Sequence, residues 1–554
     1  MNKIKKRVLC LSEYVGLNTG YSAYYKGLLT ELNKRDDIEL FDLASYCHPI
    51  QHAEAIKNSP WKIYPNLPAN KEEEKVYESN ATNEFGAWKF EHVVLDCLPH
   101  VVLDIRDFWF HAYVDQSPLR RYFKTVFMPT ADGDPLADEW LDFYKRCDYV
   151  LTYQDWSKEL IERQSNNHVK THGSAPIAVD KNVFKFVQDK KQHKAKFGIE
   201  EDAFIIGMVA RNQKRKLFPE LADAFVDFLG RLDSETTKDV YLYWHTSHPD
   251  LGWDIPALIK NKGLSHKILL TYFCQNCKYH FPSLYRDVRT VCPRCKQGSA
   301  TLSSSQTGID DNALADIYGL FDLYVQYATC EGFGIPAVQA AACGVPVCEV
   351  DYSAMTDVVR KLGGYPIPVE RLHKECETGR MLAIPDNNKL VEYIQNFIRM
   401  PESMRNRKGM EAHQNVMKHY GSWETIAQTW MNVIDQIEPD DNLWASPPAL
   451  IPPPSHCPGP NEMNDEQFVS WLLTTCLNEP RLVNGYIGLK MLRDLTWGRT
   501  VKNHLGMFSN DMSSLGVRPR YEAFNRQDLF NQINQARDLA NHWERKRWQR
   551  VSGT

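Results

Sequence analysis

The residues of this sequence best suited to chemistry are a carboxylate on a glycine turn and a pair of cations on another turn. Glu331-Gly332-Phe333-Gly334 follows an apolar stretch at Leu323–Val325. It precedes a short helical pattern with Pro336 in its first turn and Gly344 just past its end, and a second apolar strand is expected from Pro346. Glycines in such a turn let backbone amides approach a ligand closely, and a helix N-terminus favours an anion. Arg211 and Lys216 stand at the carboxyl end of a second apolar run, Phe204–Val209, just ahead of a helical pattern at 218–232. A guanidinium can hold a diphosphate bidentately and an ammonium adds a compact charge. Either motif alone is also compatible with an ordinary βα turn carrying surface charges. Set together at the carboxyl ends of two strands of one sheet, they suit a substrate with an anionic end and a hydroxyl-rich end, and a nucleotide sugar has both.

The second chemical pattern is a cysteine quartet. Cys274-x2-Cys277 and Cys292-x2-Cys295 are separated by 14 residues, the spacing of a zinc ribbon with four thiolate ligands. A complete four-thiolate shell is closed, so a structural zinc is expected, with an iron site or unpaired core thiols as the alternatives. His280 is read as a surface residue, since the cysteines already complete the shell. The other cysteines are spread through apolar strands without a secretory leader pattern, which fits reduced thiols and a cytoplasmic setting.

Positioning these groups requires parallel sheets. In the first part of the chain, apolar strands are expected at 7–12, Ile38–Leu43, Val93–Cys97, Val101–Ile105, Val126–Met128 and Tyr149–Thr152. A helix is expected at Tyr21–Asn33, after a loop carrying Gly16 and Gly20. A second alternation runs through strands at Phe204–Val209, Val240–His245 and Ile268–Thr271. Its helices are expected at Ile255–Asn261, Asp311–Gly319, Tyr393–Arg399 and Trp423–Ile437. Strand–helix alternation of this kind means an α/β fold with two doubly wound, Rossmann-like domains facing a cleft. The expected bounds are 1–185 for the first domain and 186–437 for the second. The second carries the ribbon as an insertion at 271–300, and its last helix, 421–437, packs back on the first domain. A linker at 438–460, with seven prolines between 446 and 460, then leads to a helical domain at 461–554. That domain, with Arg545, Lys546, Arg547 and Arg550 near its end, is read as an appendage packing on the body or on an oligomer partner.

With 554 residues, 43% hydrophobic and 24% charged, the chain is long enough for more than one core. Its net charge of −5 gives no global drive toward nucleic acid, and it contains no run of apolar residues long enough to span a membrane. The aromatic run Phe108–Tyr113 suits a core and cleft wall, with an acceptor-stacking platform as the functional alternative.

These motifs resemble the retaining glycosyltransferases of the GT-B architecture, in the large family four, over roughly residues 5–437. Glu331 to Gln339 matches the Glu-x7-Glu signature, and Arg211 with Lys216 matches the Arg-x4-Lys phosphate pair. Pro176–Asp180 with Phe184 matches the interdomain segment, and Leu314–Tyr318 with Asp322 matches the elements before the signature. The resemblance implies a nucleotide-sugar cosubstrate, transfer with retention, no catalytic metal, and a glycan, lipid or protein hydroxyl as acceptor. Some viral members act instead on a modified base in DNA, and a non-catalytic binding protein could reuse the fold. By resemblance, Glu331 bonds sugar hydroxyls, while Phe333, Gly334 and Ile335 lie along the donor with Gly16 and Gly20. Arg211 and Lys216 hold the diphosphate. Gln339 stands where the second signature Glu meets the ribose, and its amide can still bond hydroxyls. The family's first-domain histidine has no match, and Asp132 is the substitute expected there, ahead of His111. On this reading Glu331→Ala and Arg211→Ala each abolish transfer with the fold intact.

Overall fold

A computed structural model describes residues 5–445, apart from 18, 118, 305, 306 and 377. The proline-rich stretch from 446, the helices expected in 461–554 and the oligomer contact assigned to them lie outside the described residues. The chain forms two compact units. Among the described residues, the first takes 5–12, Asp36–Thr125 and 437–445, and the second takes Glu13–Arg35 and Val126–Gln436.

In the first unit, strands Lys62–Pro65, Ile38–Ser45, Lys6–Glu13 and Val101–Asp104 are neighbours in that order. Val8 to Leu11 pair in parallel with Val101 to Asp104, and both runs are buried throughout. Near-continuous apolar strands of this kind belong to a sheet covered on both faces. The expected strand at Val93–Cys97 is instead the end of a helix, Ala87–Cys97. Phe90, Val93, Val94 and Cys97 are buried, and their helical spacing from 90 to 97 packs them against Leu9, Leu11 and Val102. The short helix Asp441–Ala445 also docks here. Asp441 Oδ1 lies 2.6 Å from Arg7 Nη2 and 3.0 Å from His100 Nε2, and Trp444 stacks on Tyr122.

The second unit contains a nine-stranded sheet. Its order is Arg289–Thr290, Ala300–Leu302, Ile268–Cys274, Val240–His245, Phe204–Val209, Leu323–Gln326, Val347–Val350 and Tyr365–Ile367, with His280–Leu284 paired to Ile268–Cys274. The central strands run parallel, and the antiparallel strands all belong to the cysteine insertion. The central strands turn aliphatic residues such as Ile206, Leu242, Leu270 and Val325 into one core shared with Phe225 and Trp244. Helix Glu402–Tyr420, not foreseen from sequence, lies against helix Ile335–Ala342. A side chain at Gly409 would come within 2.2 Å of the Gly344 carbonyl, so only glycine admits this approach. In the same unit, helix Trp423–Asp435 packs on helix Gly20–Leu32. Gly27 leaves room for the Trp423 ring, and Trp430 Nε1 donates to Tyr24 Oη at 2.9 Å.

Candidate active site and cysteine centre

Strands Phe204–Val209 and Leu323–Gln326 are adjacent and parallel, so their carboxyl ends open side by side. The chain leaving the first strand then runs back along the chain leaving the second. Lys216 bridges Ala328 antiparallel, Thr329 N donates to the Arg215 carbonyl at 2.9 Å, and Leu217 N to that of Tyr327 at 3.2 Å. This zipper delivers two cations to Glu331. Arg215 Nη1 donates to Glu331 Oε2 at 2.6 Å and to the Cys330 carbonyl at 3.0 Å, while the Lys216 ammonium contacts Oε1 directly. Gln326 Nε2 donates to the same Oε1 at 2.9 Å, and Tyr324 Oη donates to the Gln326 amide oxygen at 2.6 Å. Ser353 completes the setting by accepting from the Glu331 amide at 3.0 Å. Burial, and after it the neighbouring Arg215, push the Lys216 ammonium well below its ordinary range, with Cys330 and Glu349 opposing them, and its nitrogen stands in direct contact with Glu331. Glu331 is buried, so its charge is balanced by these two cations and oriented by three further polar groups.

The turn after Glu331 leads into helix Ile335–Ala342, whose amino end carries Pro336 and is reached through Gly334 at φ +98°. Phe333 packs edge-on against Tyr420, with centroids 5.7 Å apart. Gly20 stands beside Ile335, since a side chain there would lie 3.1 Å from Ile335 Cδ1, and Gly16 is packed on the Tyr14 ring. Gln339 Oε1 accepts from Tyr318 Oη at 3.0 Å, a bond that fixes the amide and leaves its NH2 group to donate elsewhere. Gly334→Ala places an L side chain at positive φ with its Cβ 2.9 Å from the buried Glu349 Oε1. The left-handed conformation alone costs about 1–2 kcal/mol, so the variant is expected to unfold at lower temperature and denaturant in parallel melts.

The other residues expected from sequence are distributed differently. Arg211 pairs with Asp250, Nε to Oδ2 at 3.0 Å, and remains half-exposed; Asp250 also accepts from Ser247 at 2.5 Å. Arg215, which the Arg-x4-Lys spacing passes over, is the arginine that touches Glu331. Asp132 is ion-paired with Arg380, whose Nε also donates to Glu375 at 2.9 Å, and Cys330 Sγ lies 3.7 Å from Asp132. Burial, with Asp132 adding to it, pushes the Cys330 thiol up to about 11, so it remains a thiol. His111 belongs to the first unit, where its Nδ1 is 2.9 Å from Asp104 Oδ2. Burial works to raise the Asp104 carboxyl, and the bidentate Arg106 guanidinium overrides it and holds the group down to about 2.

In the cysteine insertion, strand Ile268–Cys274 ends in the first cysteine. The two knuckles repeat one geometry. Lys278 N donates to the Cys274 carbonyl and Lys296 N to that of Cys292, both at 2.9 Å, with φ of +57° and +60° at the two lysines. All four sulfurs lie within 4.8 Å of one another, with Cys274 to Cys295 at 3.5 Å and Cys277 to Cys292 at 3.6 Å. A tetrahedral zinc with bonds of about 2.3 Å needs sulfurs about 3.8 Å apart, which these residues match. His280 lies off this cluster, with its ring on Phe273 at 4.6 Å.

Residues 306–414 match the family of glycosyl transferases group 1. None of the curated proteins matches the chain in sequence. Among solved structures, sucrose-phosphate synthase from Thermosynechococcus elongatus is 16% identical with a TM-score of 0.56, covering 78% of this chain and 99% of its own. A glycosyltransferase from Rickettsia africae is 11% identical with a TM-score of 0.53, covering 78% and 98%. Anabaena HepE, solved in complex with UDP and glucose, is 13% identical with a TM-score of 0.52, covering 78% and 100%. At such identities the likeness is one of fold, and the family match supports glycosyl transfer as the chemistry. No described helix is long and apolar enough to cross a membrane. The chain therefore has the GT-B fold, and its residues 306–414, which carry the Glu331 turn, match the family of glycosyl transferases group 1.

Proposed function

We propose that this chain is a retaining glycosyltransferase that moves a sugar from a nucleotide-sugar donor to a hydroxyl acceptor. The observation carrying this reading is the buried Glu331 carboxylate, held by Lys216, Arg215 and Gln326 at the start of helix Ile335–Ala342. A carboxylate fixed in this way accepts from sugar hydroxyls and orients the ring. Lys216 and Arg215 meet the charge that grows on the departing diphosphate, and the helix amino end adds backbone N–H groups to the same task. The C1–O bond to the diphosphate breaks, the acceptor oxygen bonds to C1 on the same face, and the acceptor proton passes to the leaving phosphate. The UDP and glucose bound by Anabaena HepE support a nucleoside diphosphate as the leaving group. A transfer and hydrolysis assay across UDP-, GDP- and ADP-sugars tests the reading. Release of one nucleoside diphosphate with the donor's anomeric configuration retained is the expected result, and no turnover with any donor would favour a binding protein.

The cysteine quartet adds a structural zinc to this proposal. Cys274, Cys277, Cys292 and Cys295 would hold the ion, which would cross-link the two knuckles of the insertion. Fresh full-length protein is expected to contain about one zinc per chain by elemental mass spectrometry. Iron, or no metal, in the same measurement would count against it.

A further inference from the structure

Glu349 has no place in the chemistry described so far. It lies in the strand Val347–Val350, fully buried, and neither carboxyl oxygen has a hydrogen-bond partner. Strand register sets it directly beside Gln326, the residue that donates to Glu331. Its Oε1 is 2.9 Å from where a side chain of Gly334 would begin, which places the carboxyl under the glycine turn at the helix amino end. Buried polar groups in folded proteins nearly always have partners, so an acid left bare at this point calls for a role.

We propose that Glu349 is a positioning residue of the donor site, uncharged when the donor is bound, whose protonation leaves Lys216 free to serve the diphosphate. The inference rests on the donor-site reading above. Two carboxyl groups, Glu331 and Glu349, stand near two cations, Lys216 and Arg215. Were both acids ionised, the cations would already be neutralised and an arriving diphosphate would meet excess negative charge. With Glu349 neutral, one net positive charge remains for the donor. Burial drives the Glu349 carboxyl well above its ordinary range, and Lys216 opposes this without reversing it.

The groups facing Glu349 come from three other elements. Lys216 belongs to the segment after strand Phe204–Val209, Tyr324 to the neighbouring strand, and Tyr420 to helix Glu402–Tyr420. Burial raises both tyrosines, and the Glu349 charge adds to this, so neither loses its proton in the neutral range. Of these groups Glu349 is pushed up and Lys216 is pushed down, both by burial, so theirs are the two titrations to separate. A raised carboxyl binds its proton below its pKa and releases it above. Donor affinity should therefore be level on the acid side and fall on the alkaline side, by up to tenfold per pH unit, with one proton taken up on binding.

The test is calorimetric titration of the full chain with UDP-glucose, and with GDP-mannose as a second nucleotide, from roughly pH 6 to pH 9, where buried glutamates titrate and a diphosphate esterified at both ends does not. Buffers of different ionisation enthalpy report the proton count. The wild-type protein should lose affinity at the alkaline end with proton uptake, and Glu349→Gln should stay level over the same window. Glu349→Leu, which also removes the titrating group, serves if the glutamine variant does not fold. The same fall in the variant assigns the titration to Lys216 and overturns the inference. So does a level wild-type profile. Wild-type protein that binds neither nucleotide at any pH removes the donor-site reading, and the inference with it.

Discussion

Replacing Glu331 by glutamine is expected to lower kcat/KM for sugar transfer by about 10²–10⁴-fold, with the protein still folded. Two hydrogen bonds from sugar hydroxyls to a charged oxygen are worth about 1.5–3 kcal/mol each, and glutamine forfeits the charge while keeping the shape. Bonds that strengthen as the sugar flattens and gains positive charge are lost from the transition state, so kcat should fall along with donor affinity. Both substitutions remove the counter-charge of the buried Lys216 ammonium, and alanine also removes the oxygens to which Arg215 and Gln326 donate, so its penalty is the larger. The Lys216 side chain is nearly enclosed, 7% exposed. Breaking a buried pair from one side costs about 3–5 kcal/mol, so both variants lose stability together with activity, alanine the more. A thermal melt beside the kinetics separates the two. A folded Glu331→Gln protein with near wild-type kcat/KM would sink the assignment of Glu331.

Much of this arrangement is legible in the residues, and the failures have physical causes. Strands such as Phe204–Val209 and Val240–His245 are continuous apolar runs of strand length, which admit one reading. Ala87–Cys97 is misread because Val93, Val94 and Leu95 form a short apolar run near its end, and only the burial of Phe90 reveals the helical period. Helix Glu402–Tyr420 buries Gly409, Ala412, Val416 and Tyr420, a correct spacing carried by residues too small to stand out. Within Arg211–Lys216 no local pattern says which cation turns inward. The bridge from Lys216 to Ala328 decides it, across more than a hundred residues of sequence. Asp132 meets Arg380 by the same kind of distant pairing. Glu349 does leave a signal, since a carboxylate inside the buried strand Val347–Val350 breaks an otherwise apolar pattern.

Cys292→Ser is expected to remove the metal and unfold the insertion, leaving the parallel strands of the second unit in place. Cys292 and Cys274 are the buried members of the quartet, and three thiolates cannot close the tetrahedron. Structural zinc sites of this type contribute about 10–16 kcal/mol of apparent binding energy at neutral pH, far more than the few side chains of the two hairpins can replace. The apolar residues packed near the cluster, Phe281 and Tyr285 among them, join the main core, so the loss stops where that core begins. Strand Ile268–Cys274 is held on its first half by Val240–His245 and on its last half by Ala300–Leu302. The first half should survive and the second should fray. Hydrogen exchange is the measurement that reads this, with protection lost from Tyr272 to Leu302 and kept at Ile268–Leu270. Wild-type protein treated with a strong chelator should give the same map, and a serine variant that retains both metal and protection would refute the four-thiolate site.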